Sequence, residues 1–183
     1  MSVTHGVLTP YALVGGCWTR LFRGVSAELG YSGLALHKHE GDGKTPEGIF
    51  SLGSTIYGAG PRVSALYHYH HLVCGDWWDE QSSTPQYNQF VHVGCGVQLP
   101  FGGGSEPLWA IQPEYSHFFV INYNTSPIRK GLGSAIFLHV SAGAFTAGCV
   151  AVSASVLNQL MTWLNPADHP RIVISTTNGL SQW

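Results

Sequence analysis

The sequence predicts a mainly β domain with one helix, and three observations carry that reading. The 183 residues include 23 Gly and 10 Pro spread along the chain, so turns are frequent. Between the turns lie short runs of Val, Ile, Tyr, Phe and Trp, residues that suit a pleated, half-buried surface. One stretch, residues 155–164, instead sets apolar residues at helical spacing. A chain of this length can build one real core, and no repeat, low-complexity tract or linker divides it, so residues 1–183 read as a single domain.

Taken in order, residues 18–22 and 26–29 read as two short strands around a turn at Arg23-Gly24, and 34–37 as another. Residues 41–53, GDGKTPEGIFSLG, open with turn chemistry, and composition alone makes them a surface hairpin loop leading into a strand at 49–52. Residues 65–73 hold a histidine cluster, His68-Tyr69-His70-His71, followed by Asp76-Trp77-Trp78-Asp79. Residues 82–90 are loop, 90–93 strand and 99–105 a Gly-rich turn. HFFVINY (117–123) is the strongest strand; a polar loop (124–133) leads to strands at 135–140 and 148–152. In the helix, Val156, Leu157, Leu160, Met161 and Leu164 form one apolar face that belongs in the core, with Ser153 or Ser155 as N-cap and Asn165-Pro166 as the stop. Residues 171–175 form the last strand.

Composition narrows the function. Only 10% of residues are charged, the net charge is −2 and the pI is near 6.5, which argues against nucleic acid or any strongly charged partner. No apolar run reaches the ~20 residues of a membrane span, and MSVTHGVLTP lacks the basic and apolar regions of a secretory leader. Four cysteines, Cys17, Cys74, Cys95 and Cys149, are too few for a disulfide scaffold. If Cys149 is kept free, at most one pair forms among the other three. A hairpin-like excursion suggests Cys74 with Cys95; three buried free thiols is the other reading.

SAIFLHVSAGAFTAGCVAVS (134–153) carries the chemistry. An apolar strand ends in His139, small residues follow, and Thr146-Ala147-Gly148-Cys149 opens the next strand. A cysteine nucleophile needs a base, oxyanion donors and an approach for substrate. His139 and Cys149 facing each other across a tight turn supply the first, and the backbone amides at Gly148 and Cys149 supply the second. Taken alone, such a pair is more often a structural cysteine beside a satisfied core histidine.

The wider sequence changes that balance. HVSAGAFTAGCVAVS resembles the active-site signature of the L,D-transpeptidase (YkuD-type) catalytic domain, in which a His ending a strand precedes Ser/Thr-x-Gly-Cys. GDGKTPEGIF, SSTPQYN, SEPLW, VINYN and GSAIFLHV are similar to family segments in the same order, over residues 18–175. Ala147 stands where many members have His, Ala151 where many have Arg, and the His-to-Cys loop is short. The resemblance implies a mixed β-sandwich/barrel with one C-terminal helix packed on it. It implies acyl transfer on peptidoglycan stem peptides: Cys149 attacks at the L-centre of the third-position diamino acid, D-Ala leaves, and an amine on a second stem takes the acyl group in a 3→3 cross-link. Water in its place gives an L,D-carboxypeptidase or endopeptidase acting on the same stem peptide. His139 is the general base, Gly148 helps form the oxyanion hole, and Ser141 or a backbone carbonyl orients the imidazole, since Val140 cannot. Thr146 either bonds within the site or starts the turn. Glu106, Tyr87, Asn88, Trp77 and Trp78 line a substrate groove, with core packing the competing role for the Trp pair. Acylation by carbapenems, a monomer, a cell-wall location and no cofactor, metal or nucleic-acid partner complete the expectation.

Two rival readings stand beside it. His37-Lys38-His39 and His68-Tyr69-His70 each place two imidazoles on one strand face, a way to hold zinc, without an accompanying zinc motif. A non-catalytic cell-wall module would use Trp77, Trp78 and Trp109 to hold sugar or peptide, leaving the Cys149/His139 pair without a task.

Overall fold

The computed structural model describes residues 3–102 and 104–182. It is mainly β with one α-helix. The chain opens with β1 (His5–Leu8), β2 (Tyr11–Val14), β3 (Cys17–Arg20) and β4 (Val25–Glu28). Residues 18–22 therefore do not pair with the strand after Arg23-Gly24. β3 pairs with β2, and β4 with β1. The β2–β3 turn is Gly15-Gly16, with both φ values positive at 56° and 80°, as a tight primed turn requires.

Short β5 (Leu34–Ala35) and β6 (Thr45–Pro46) lead into β7 (Gly48–Gly58), longer than its sequence suggests. Then come β8 (His68–His71), β9 (Asp76–Asp79), β10 (Gln89–His92), β11 (Glu106–Pro107) and β12 (Phe118–Ile121). β13 (Phe137–Val140), β14 (Val150–Val152), α1 (Ala154–Trp163) and β15 (Arg171–Ile174) complete the chain. The main sheet runs β1-β4-β14-β13-β12-β7-β15, with β8 also paired to β7. A second sheet, β10-β9-β11, lies apart from it.

β12 and β13 are buried along their whole length, and period-two alternation sends their side chains to two cores. Phe119, Ile121, Leu138 and Val140 join Leu157, Leu160 and Met161 of α1 on one face. Ser153 Oγ accepts the Val156 N–H and caps that helix. Phe118, Val120, Phe137 and Cys149 join Trp78, Leu108 and Tyr115 on the other face. The small sheet covers this second face through Trp78, whose ring meets Phe137 edge-on at 5.0 Å. Cys74 and Cys95 are joined in a disulfide at the edge of that sheet, Cys17 is free and exposed, and Cys149 is free and buried. The reading of three buried free thiols is thereby replaced.

β13 and β14 are parallel, in the register His139 with Ala151. Residues 141–149 are consequently a crossover and not the tight turn expected of them, because a two-residue turn joins only antiparallel strands. The crossover is pinned midway, where Thr146 donates its N–H to Leu29 O at 3.0 Å and its carbonyl accepts the Tyr31 N–H at 2.9 Å.

Candidate active site

Parity along β13 decides where the imidazole points. His139 is two residues from Phe137 and shares its face; Ala151 opposes His139, so Cys149, two residues before it, lies on that same face. His139 and Cys149 are diagonal neighbours across a parallel pair. Both are buried, and both line one cavity of about 260 Å³.

The backbone at Cys149 is held from two directions. Its carbonyl accepts the hydroxyls of Thr45 at 3.1 Å and Thr146 at 2.8 Å. Thr45 also accepts the Gly30 N–H at 2.8 Å, and Thr146 accepts the Gly148 N–H at 3.1 Å. Thr146 thus both closes the turn and bonds within the site. Gly148 has φ +150°, and an added Cβ would come within 2.9 Å of Lys44 O, so only glycine fits there. Thr45, Pro46 and Gly48 are buried under the cysteine turn. The segment 41–53 is therefore no surface hairpin; the Thr45 hydroxyl ties it to a residue 104 positions away.

The thiol sits between two backbone groups. Its S–H donates to Ala135 O at 3.2 Å and its sulfur accepts the Phe137 N–H at 3.3 Å. Burial, reinforced by the Glu106 carboxylate, pushes its pKa far above the ordinary thiol range. Burial lowers the His139 pKa. Nδ1 lies 2.8 Å from the Val140 carbonyl, which can only accept, so Nδ1 carries the proton and Nε2 keeps a free lone pair. The pair at rest is neutral thiol and neutral imidazole. The group orienting His139 is a backbone carbonyl; Ser141 Oγ instead accepts the Gly143 N–H at 2.9 Å. Tyr115 lies edge-on to the imidazole at 5.7 Å.

The other expected residues divide. Glu106 lines the cavity and accepts the Tyr115 hydroxyl. Trp78, Tyr87 and Asn88 do not line it; they are buried beneath it. Trp78 Nε1 donates to Asn88 Oδ1 at 3.0 Å, which also accepts the Ala135 N–H at 3.0 Å. Tyr87 donates to Glu40 and accepts the Gly133 N–H. These side chains hold the strand entry that carries Ala135, and aromatic and amide groups in a Tyr-Asn pair suit such internal bonding as well as they suit a ligand. Trp77 meets Trp109 edge-on at 5.1 Å on the opposite face of the small sheet, beside the disulfide. Ala147 lines the cavity and Ala151 does not.

Several cavity residues escaped the sequence reading, namely Lys38, Glu40, Glu80, Glu114 and Tyr115. The acidic run at Asp79-Glu80 was the one available signal. Burial, with Glu106 nearby, pushes Glu80 up to about 9, and burial pushes Glu106 up to about 7. Lys38 Nζ is committed to Asp42 at 2.6 Å. Of the two histidine pairs, His68-Tyr69-His70 has His70 bonded to the buried Asp76 at 2.8 Å, an acceptor it shares with His92 at 2.7 Å. Among the described residues there is no group of three or more His, Cys, Asp or Glu side chains arranged to hold a metal ion.

This mainly β fold thus holds a cysteine and a neutral histidine in one cavity, groups that can serve as nucleophile and base. The family model for the L,D-transpeptidase (YkuD) catalytic domain matches residues 14–174, and the chain belongs to that family. Its members are generally L,D-transpeptidases that act on peptidoglycan, and the family is typically cell-wall associated. Comparisons with curated proteins and with solved structures give no significant match. Among the described residues, no helix is long and apolar enough to cross a membrane.

Proposed function

We propose that this chain transfers acyl groups between peptidoglycan stem peptides through a thioester on Cys149. The observation that supports this is the His139 tautomer, which keeps Nε2 free as a base in the cavity that also holds the thiol. Cys149 leaves its bond to Ala135 O and passes its proton to Nε2. Sγ attacks the carbonyl at the L-centre of the third-position diamino acid. The Cys149 N–H serves the oxyanion, since the Gly148 N–H is taken by Thr146. The imidazolium returns the proton to the D-Ala nitrogen as the carbon–nitrogen bond breaks. An acceptor amine then attacks the thioester, gives its proton to His139 and releases the thiol, leaving a 3→3 cross-link. Val140 O fixes the imidazole throughout, and Thr45 and Thr146 fix the Cys149 backbone.

Incubation with purified tetrapeptide stems tests the reading. Cross-linked dimer is the expected product, and tripeptide alone would assign an L,D-carboxypeptidase. No conversion, together with no carbapenem adduct at Cys149 by mass spectrometry, overturns the enzyme reading in favour of a binding module. Cys149→Ala abolishes both turnover and adduct; Cys17→Ser changes neither.

A further inference from the structure

We propose that the Cys149 cavity selects ligands carrying an ammonium group, held by Glu80 and Glu106 beside the thiol. This rests on the cavity being the active site and adds what the site demands of its ligand. Among the described residues, the walls carry the carboxyl groups of Glu40, Glu80, Glu106 and Glu114 against one lysine, Lys38. That cation is spent, because its Nζ is bound to Asp42. Glu40 is also spent, on Tyr87, Ser134 and the Gly41 N–H. Glu106 accepts one hydrogen bond, from the Tyr115 hydroxyl at Oε2; Glu80 and Glu114 are not spent. Each keeps one carboxyl oxygen, Glu80 Oε1 and Glu114 Oε2, sealed from solvent and without a hydrogen-bond partner. Leaving a buried acceptor unpaired is unfavourable, so a donor brought in by a ligand would be gained at these oxygens. β9 and β11 pair Trp78 with Glu106, and Glu80 follows two residues after Trp78, so both carboxyl groups leave the small sheet on one face. That face is turned to the thiol. An ammonium offers three donors and a positive charge to such a cluster. Burial holds the Glu80 proton to about 9 and the Glu106 proton to about 7, so an entering ammonium draws these carboxyl groups into ionising towards it, whereas a carboxylate-bearing ligand raises them further and finds the lysine already paired. The diamino acid of a stem peptide carries such an ammonium, as donor or as acceptor.

The group also changes the nucleophile. The Glu106 carboxylate opposes ionisation of Cys149. A cation seated between them offsets that opposition, so the thiol is activated by the ligand it is to react with.

The test uses the wild-type protein and three methanethiosulfonates, the 2-aminoethyl, 2-hydroxyethyl and 2-sulfonatoethyl reagents. In each case the sulfur of cysteine displaces methanesulfinate, forms a mixed disulfide and gives its proton to solvent. Peptide mass spectrometry reads the rates at Cys149 and at exposed Cys17, which corrects for the reagent's own reactivity. The aminoethyl-to-sulfonatoethyl rate ratio at Cys149 is expected to exceed that at Cys17 by about tenfold or more. Glu80→Gln with Glu106→Gln is expected to bring the two ratios within about twofold. Equal ratios in the wild type overturn the proposal, as does a preference untouched by the Gln variants, or a Cys149 that no reagent reaches while Cys17 reacts. Should the Gln protein fail to fold, the wild-type ratio decides alone. A chain that selects the cation but leaves stem peptides unchanged fails the proposed function and keeps this inference; processing of stem peptides without cation selection does the reverse.

Discussion

Thr45→Val removes one hydroxyl from a fully buried position while nearly conserving its shape. Two hydrogen bonds are lost with it. The Gly30 N–H, which is buried and bonded at 2.8 Å, is left without an acceptor. An orphaned buried donor of this kind costs about 1–3 kcal/mol. The Cys149 carbonyl keeps Thr146 but loses its second donor, a bond worth about 1 kcal/mol net. The expected destabilisation is about 2–4 kcal/mol, a large share of a typical domain's stability. Thr45→Ser keeps both bonds and removes one methyl group, for about 1 kcal/mol including the small void. Urea unfolding followed by tryptophan fluorescence measures both variants, and the slope should stay constant while the midpoint falls. If Thr45→Val unfolds at the same urea concentration as Thr45→Ser, the hydroxyl holds nothing, and the tie between residue 45 and the cysteine backbone is no part of the site's support. Carbapenem acylation supplies the functional arm. Folded Thr45→Val should acylate more slowly than Thr45→Ser, because its Cys149 carbonyl has one anchor instead of two.

Three further outcomes follow from the same contacts. Cys74→Ser with Cys95→Ser opens a loop of 21-residue separation, which lowers stability by about 3 kcal/mol on the chain-entropy view; a midpoint in urea equal to the wild type would show that the loop is held by other means. Leu157→Ala, at a fully buried position on α1, should cost about 2–5 kcal/mol, and a loss under about 1 kcal/mol by the same measurement would place α1 outside the core. The carboxyl pair sets a pH slope. Glu80 and Glu106 hold their protons to about 9 and about 7 in the folded chain, against an ordinary 4.5. The folded state therefore binds more protons than the unfolded state across that window, and the pair's contribution is fully present below the ordinary value and lost as pH rises towards those folded values. Unfolding at about pH 5, 7 and 8.5 should show stability falling in the wild type and a flatter profile in Glu80→Gln with Glu106→Gln; identical slopes in the two proteins would count against the pair.

What could be read from the chain was local. The helix announces itself through apolar spacing and a serine cap, and β12 and β13 through uninterrupted apolar runs, because these are decided by residues within a few positions of one another. The Gly15-Gly16 turn was equally local, yet β2 and β3 are exposed along both faces and lack the strict alternation that marks a strand. The errors elsewhere come from long-range partners. Whether β13 and β14 run parallel depends on where residues 141–149 are pinned, and that is settled by Leu29 and Tyr31, more than 100 positions earlier. Trp78, Tyr87 and Asn88 have the chemistry of ligand-binding groups and spend it on Ala135, Glu40 and each other. The division has a physical origin. The proposed nucleophile and base sit on adjacent strands of one short segment, so a residue pattern can encode both. The charge around them comes from separate segments, Lys38 and Glu40, Glu80, and Glu106 with Glu114, which only the folded sheet brings to one cavity. The proposed reaction type is therefore written in a short stretch of sequence, whereas the proposed choice of ligand rests on carboxyl groups whose proximity no stretch contains.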